Sequence, residues 1–122
     1  MLLVFVASTV VVIVFAVKLI TGPVETTNDY YADLRDGRYS AAYSELCSSL
    51  RVRISESAFV DLQREDEQTK GRVTSFDFHS SEVRNDTATT RGTVDRGGST
   101  YDARVGLRKE SGDWKVCAVR ER

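Results

Sequence analysis

The stretch Tyr39-Ser40-Ala41-Ala42-Tyr43-Ser44-Glu45-Leu46-Cys47-Ser48-Ser49-Leu50 carries the most regular helical pattern in this chain. Its apolar side chains recur at offsets 0, 3, 4, 7, 8 and 11, which places them on one face of an α-helix. Ser40 is a candidate N-cap, and Cys47 lies on the buried face. The stretch therefore predicts a helix over 39–50 that packs a cysteine into a core.

A further helix is predicted before this stretch and another after it. The first covers 24–36 and ends at Asp36-Gly37, because glycine readily adopts the left-handed conformation found at helix C-termini. Its buried face consists of Val24, Thr27, Tyr31 and Leu34. The last begins near Ser55, buries Phe59 and Leu62, and ends at Lys70-Gly71. About three helices thus occupy the first half of the domain.

After Gly71 the apolar period changes to two, which is the period of β-strands. Strands are predicted over 73–79, 87–94, 100–109 and 114–119, and the turns between them are Asn85-Asp86, Arg96-Gly97-Gly98 and Ser111-Gly112. Such short turns join neighbouring antiparallel strands. The sequence therefore predicts an α+β domain, in which about three helices pack on one face of a curved four-stranded antiparallel sheet.

Residues 1–20 predict a transmembrane anchor. Leu2–Val17 contains no charge, glycine or proline, and residues 2–20 as a helix would reach roughly 28 Å, close to a hydrocarbon thickness of about 30 Å. Lys18 can extend its ammonium group to the interface. A cleaved signal peptide is the alternative, with Val14-Phe15-Ala16 as the cleavage site. The expected plan is an anchor at 1–20, a linker at 21–23 and a folded domain at 24–122.

The two cysteines, Cys47 and Cys117, indicate the compartment. They are too far apart in sequence for a short zinc-binding or redox motif. One cysteine in each half of a small domain beside a membrane segment favours a disulfide, and disulfides persist outside the cytoplasm. Two separate buried thiols are the alternative. We therefore expect a single-pass cell-membrane protein whose domain lies on the extracytoplasmic side.

The orientation of Cys117 is left open by the sequence. In a regular last strand Trp114, Val116 and Ala118 share one face, and Cys117 lies on the other. Because Cys47 belongs to the helical layer, either the Cys117 face meets the helices or a β-bulge turns its side chain toward them.

Two segments resemble a known family. LRDGRYSAAYSEL at 34–46 and GDWKVC at 112–117 are similar to patterns in small exported bacterial domains of the nuclear-transport-factor-2-like (cystatin-like) superfamily, which include lumazine-binding-like domains of unknown function. Arg38 departs from the pattern, which often has an acidic residue there. The resemblance implies a cone-like fold with a pocket at its open end, but no single activity.

A pocket in such a cone is expected to be lined by aromatic side chains, namely Tyr31, Tyr43, Phe76, Phe78 and Trp114. Walls of this kind suit a small apolar ligand. His79 is the only histidine of the chain, and the sequence contains no nucleophile elbow, phosphate loop or dinucleotide fingerprint. We therefore expect no catalytic residue, no metal site and no cofactor.

Charge is distributed unevenly between the two halves. Residues 24–70 carry 6 basic and 10 acidic side chains, whereas residues 71–122 carry 10 basic and 8 acidic side chains. The outward strand positions Arg91, Arg104, Arg108 and Lys115 form a basic strip that would suit an acidic partner or anionic lipid, or would simply keep the sheet soluble. A net charge of −1 argues against nucleic acid as a partner.

These observations favour a non-enzymatic, membrane-anchored binding or scaffold module. An assembly subunit of an envelope transport or secretion complex is the alternative, and a small-molecule-pocket enzyme ranks below both. The expected partners are the membrane through residues 2–20, a protein of the cell envelope and a small apolar ligand.

Overall fold

Helices precede strands in the part of the chain that the structure describes. The computed structural model describes residues 22–122. Its helices and strands are α1 (Pro23–Arg35), α2 (Tyr39–Ser44), α3 (Ser48–Arg53), α4 (Glu56–Lys70), β1 (Val73–Arg84), β2 (Thr87–Arg96), β3 (Ser99–Glu110) and β4 (Asp113–Glu121). The predicted α+β order is confirmed. The predicted anchor at 1–20 lies outside the described residues, and within 22–122 no helix combines the length and apolar character needed to span a bilayer.

The four strands form an antiparallel meander in the order β1-β2-β3-β4. One face is buried, as the period of two predicted. Its buried side chains on the central strands are Ala88, Thr90, Val94, Arg96, Ala103, Val105 and Leu107. The opposite face is open to solvent and carries exposed charged residues such as Arg91, Arg104 and Arg108.

Helix α1 covers the buried face of the sheet. Glu25 accepts a hydrogen bond from the backbone N–H of Gly22 (3.1 Å), which caps the helix N-terminus. Gly37 follows the helix with φ of +74°, as predicted. The hydroxyl groups of Thr27 and Thr90 lie 2.9 Å apart and are buried, so a polar contact joins the helix to the centre of β2.

The predicted helix over 39–50 is interrupted. Helix α2 ends at Ser44, α3 begins at Ser48, and the residues between them run beside β4. The backbone N–H of Cys47 donates to the carbonyl oxygen of Val116, and the Val116 N–H donates to that of Glu45, both at 2.8 Å. A helical stripe and a short extended segment bury the same side chains here, so periodicity did not distinguish them. The extended segment forms here because the backbone groups on the edge of β4 need hydrogen-bond partners.

Two smaller predictions about the helices are also wrong. Helix α2 begins at Tyr39 with Arg38 at the N-cap position and no side-chain cap, so Ser40 is not the N-cap. Leu62 remains 49% exposed, although Phe59 on the same helix is buried as predicted. Ser55 does cap α4, since its hydroxyl accepts from the backbone N–H of Ala58.

A disulfide joins Cys47 to Cys117, with their Cα atoms 5.2 Å apart. The two orientations left open for Cys117 are resolved by a register shift. Gly106 pairs with Ala118 and Leu107 pairs with Val116, so Cys117 is the extra residue of a β-bulge. The bulge turns Cys117 toward the segment beside β4 and makes the bridge possible.

We predict that removing this disulfide strongly destabilises the domain. The bridge closes a loop across 70 residues, and the double variant Cys47→Ser/Cys117→Ser should lose about 4 kcal/mol of unfolding free energy in urea titrations followed by circular dichroism. Dithiothreitol should destabilise the native protein to the same extent and leave the variant unchanged. Equal stability of the native and variant proteins would contradict the role assigned to the bridge.

Candidate binding sites

The aromatic residues predicted to line a pocket fall into separate groups. The ring of Tyr31 stacks on that of Phe78 (5.1 Å between centroids) and lies 6.0 Å from that of Phe76, in the layer between α1 and the sheet. Tyr43 packs instead on Phe59 and donates a hydrogen bond to the carbonyl oxygen of Ile54. Trp114 lies beneath the ammonium group of Lys109. The structure therefore brings three of the five together, and their role as pocket lining stays a prediction.

Tyr31 also borders a partly open cavity of about 120 Å³ with largely polar walls. Its lining comes from α1, α4 and the ends of β2 and β4. The titratable residues around it are Tyr30, Tyr31, Asp66, Lys70, Arg96 and Glu121. Polar walls of this kind do not suit the small apolar ligand expected from the sequence.

A buried ion pair dominates this cavity. Arg96 is 2% exposed, and its Nε and Nη2 donate to the two carboxylate oxygens of Glu121 at 2.8 and 3.1 Å. The hydroxyl of Tyr31 donates to the same carboxylate at 2.7 Å, and Lys70 lies 3.6 Å away. Such a pair compensates for desolvation only when its hydrogen bonds are well formed, as they are here. The pair therefore holds the end of β4 against β2 and α1.

Protonation in this cluster follows from the same contacts. Burial acts to raise the pKa of Glu121, but the hydrogen bonds from Arg96 and Tyr31 outweigh it and hold that pKa below its usual value. Burial and the Glu121 charge raise the pKa of Tyr31 well above its usual range. Glu121 is thus a carboxylate and Tyr31 a neutral hydrogen-bond donor at physiological pH.

Loss of one partner from this pair should be costly. The variant Arg96→Met removes the bidentate partner of the buried Glu121 carboxylate, so we expect it to lower the unfolding free energy by about 3–5 kcal/mol in urea titrations. The double variant Arg96→Met/Glu121→Leu should lose less, because neither charge remains buried. Arg84→Met is the matched control, since Arg84 is 83% exposed, and should change stability by less than about 0.5 kcal/mol. Equal losses in the single and double variants would show that the pair is not the source of the effect.

A second cluster consists of carboxyl groups between α1 and the segment beside β4. Asp33 is 9% exposed and pairs with Arg38 at 3.0 Å. Glu45 Oε2 is buried and has no hydrogen-bond partner among the described residues. Burial, together with the charges of Asp33 and Asp29, raises the pKa of Glu45 to about 8. Glu45 is therefore largely protonated at neutral pH. Within 22–122 no three His, Cys, Asp or Glu side chains are grouped so that they could hold a metal ion.

The titration of Glu45 predicts a pH dependence of stability. Its pKa is about 8 in the folded protein against 4.5 as the ordinary value, so folding takes up a proton between these limits. Its contribution to stability is fully present below pH 4.5 and is lost as the pH rises through 8.

The variant Glu45→Gln keeps the neutral shape at every pH and should abolish this loss. At pH 8 and above we expect it to be more stable than the native protein by on the order of 1 kcal/mol, a value that allows for solvent screening of this partly buried group. The measurement is the difference in unfolding free energy between the two proteins from pH 5 to 9. Glu82→Gln, on the open face, is the control and should leave the difference flat. If the difference in unfolding free energy between Glu45→Gln and the native protein stayed constant from pH 5 to 9, the assigned titration of Glu45 would be contradicted.

The open face of the sheet carries a groove of about 410 Å³. Four arginines and one carboxylate supply its charges, and its full lining is Arg91, Gly92, Asp102, Ala103, Arg104, Arg120 and Arg122. Arg91 lies directly opposite Arg104 across β2 and β3, and Arg104 lies directly opposite Arg120 across β3 and β4. We call these three residues the arginine row. Its members are exposed and make no ion pair with any residue between 22 and 122.

The arginine row corresponds only partly to the predicted basic strip. Arg91 and Arg104 belong to both, whereas Arg108 and Lys115 pair with each other away from the groove. Lys115 also donates to the carbonyl oxygen of Ser44 at 3.2 Å. Arg120 was missed because regular alternation from Val116 places it on the buried face. The bulge at Cys117 reverses that parity, so Arg120 lies outside and Glu121 inside.

Solved structures share this fold. A SEC-C motif containing protein from Rhodopseudomonas palustris aligns with a TM-score of 0.64 and 16% identity over 80% of this chain and 77% of its own. A putative NTF2-like (nuclear-transport-factor-2-like) transpeptidase from Campylobacter jejuni aligns with a TM-score of 0.61 and 18% identity over 80% of this chain and 99% of its own. An NTF2-like protein of unknown function from Cytophaga hutchinsonii aligns with a TM-score of 0.52 and 11% identity over 80% of this chain and 88% of its own.

These likenesses show the fold and nothing finer, because the identities are low. The described domain has an NTF2-like fold, as the two sequence segments indicated. The lumazine-binding-like subtype stays a prediction. The sequence matches no family model, and no curated protein matches it.

Proposed function

We propose that this chain is a non-enzymatic binding or scaffold module, anchored in the cell membrane by residues 2–20 and displaying its NTF2-like domain outside the cytoplasm. The disulfide between Cys47 and Cys117 is the observation that carries the proposal. Disulfides of this structural kind form in oxidising compartments and are rare in the cytosol. An apolar segment of anchor length directly ahead of the domain gives it a route out of the cytoplasm.

The packing of the interior supports a binding role over a catalytic one. The layer between α1 and the sheet is occupied by Tyr31 and Phe78, and the polar cavity beside them is bordered by a closed ion pair. The strongest donors and acceptors there, Arg96, Glu121 and Tyr31, bond to one another. A partner is therefore expected to meet the outside of the domain, where charged side chains stand without ion-pair partners.

The location can be tested with the full chain carrying alkaline phosphatase after Arg122. This reporter is active only outside the cytoplasm, so we expect high activity in a bacterial host and retention in carbonate-washed membranes. Val10→Arg/Val12→Arg is the matched control, because each arginine at the centre of a span costs about 2.5–3.5 kcal/mol of insertion free energy. We expect this control to lose both its phosphatase activity and its retention in the membrane. Phosphatase activity only in the control, or in neither protein, would refute the extracytoplasmic location.

The mass of the protein recovered from membranes separates an anchor from a signal peptide. Retention of Met1 or Leu2 at the N-terminus is expected for an anchor. A mature protein that begins after Ala16 would refute anchoring, although the extracytoplasmic location would stand. Crosslinking of the same membrane-embedded chain, followed by mass spectrometry, tests the proposed protein partner in the cell envelope.

A further inference from the structure

We infer that the arginine row, with Arg122 beside it, is a binding site for a phosphate-bearing anion. The inference deepens the proposed binding function by naming a surface and a ligand chemistry. It does not depend on the anchor or on the compartment. Its starting point is that three guanidinium groups stand in register on adjacent strands, at Arg91, Arg104 and Arg120.

This arrangement is unfavourable for the isolated fold. Adjacent strands lie about 4.8 Å apart, and like charges directly opposite each other destabilise a sheet. A soluble sheet needs charge on its open face, but alternating signs serve that purpose at no such cost. The positions that flank the row along the strands are Thr89, Thr93, Asp102, Gly106, Ala118 and Arg122, and Ser80 pairs with Arg91 from β1. Asp102 is the single acidic residue among them.

The contrast with Arg96 shows that the fold can satisfy an arginine. Arg96 on the buried face of the same strand as Arg91 receives a bidentate carboxylate and a backbone carbonyl. The groups of the arginine row have no such partner within 22–122. Four guanidinium groups face one carboxylate in the groove, and this excess of positive charge is matched by an external anion.

The shape of the groove allows an anion to reach several of these groups together. The groove extends from the arginine row to the next pair along the strands, where Asp102 and Arg122 exchange backbone hydrogen bonds at 2.8 Å. A volume of about 410 Å³ accommodates a phosphate group together with part of the molecule that carries it. The arginine row and Arg122 therefore present their guanidinium groups to the same groove.

The use of arginine in the groove favours phosphate over other anions. Every basic residue that lines the groove is arginine, although the chain uses lysine elsewhere on β3 and β4. The planar guanidinium fork donates two parallel hydrogen bonds to a phosphate or carboxylate, which a lysine does not. A carboxylate has two oxygens and is saturated by one or two forks. A phosphate has three or four acceptor oxygens and up to two negative charges, so it can bridge three arginines.

The test uses the full chain in micelles of an uncharged detergent and measures binding by isothermal titration calorimetry. Inorganic phosphate and pyrophosphate represent free phosphate. Micelles doped with phosphatidic acid represent a lipid head group, and micelles doped with phosphatidylcholine serve as their control. We expect binding in at least one phosphate arm, weakening as salt is raised, together with a higher melting temperature in the presence of that ligand.

Variants separate a fork-specific site from a diffuse positive surface. Arg104→Gln removes the centre of the row and should weaken binding at least about ten-fold, since charge-assisted hydrogen bonds contribute most of the affinity. Arg104→Lys keeps the charge but not the fork and should also lose affinity. Arg84→Gln removes an exposed arginine from the same sheet face outside the groove and should bind like the native protein. Without ligand, Arg104→Gln should be at least as stable as the native chain, because a like-charge contact has been removed.

The outcomes divide clearly. Binding of pyrophosphate or phosphate alone supports a soluble phosphate ligand, and binding of phosphatidic acid alone supports a lipid head group. Absence of binding in every arm overturns the site. Equal affinities for Arg104→Gln and Arg84→Gln, or native affinity for Arg104→Lys, also overturn it. A cytoplasmic result in the phosphatase assay would remove the proposed location and leave the phosphate result standing.

Discussion

One extra residue in the last strand determines much of this domain. The bulge at Cys117 reverses which side chains face inward along the rest of β4. It directs the sulfur of Cys117 to Cys47, and it turns Glu121 inward to Arg96. It also turns Arg120 outward to join Arg104. A disulfide, a buried ion pair and an arginine-lined groove therefore share one geometric cause, and β-bulges often serve to re-aim side chains in this way.

The disulfide and the ion pair secure the middle and the end of β4 by different means. At the middle of the strand, the covalent bridge and two backbone hydrogen bonds attach it to the segment between α2 and α3. Near its end, Glu121 is held by Arg96 and Tyr31. The first acts mainly by restricting the unfolded chain, and the second acts by satisfying charges that would otherwise be buried alone.

The arginines of this sheet illustrate how position sets the role of a residue. Arg96 is completed within the fold, whereas the row on the opposite face is completed only from outside. Charge alone does not separate the two cases, because all are arginines on strands of the same sheet. The two cases differ in burial and in the presence of a carboxylate that pairs with the guanidinium group. The proposed phosphate ligand thus takes the place on the open face that Glu121 takes on the buried one.

The chain by itself determined the class of the fold, the order of its elements, the turns and most of the apolar core, because these depend on local periods of 3.6 and 2 and on turn-forming residues. It also indicated the cysteine pairing through composition and spacing. Only the tertiary structure decided that the helix predicted over 39–50 is interrupted between Ser44 and Ser48, that Glu121 rather than Arg120 is buried, and that Arg120 completes the row. These features depend on the strand edge and on a one-residue bulge. A single added residue leaves the local pattern intact and reverses the faces of everything after it.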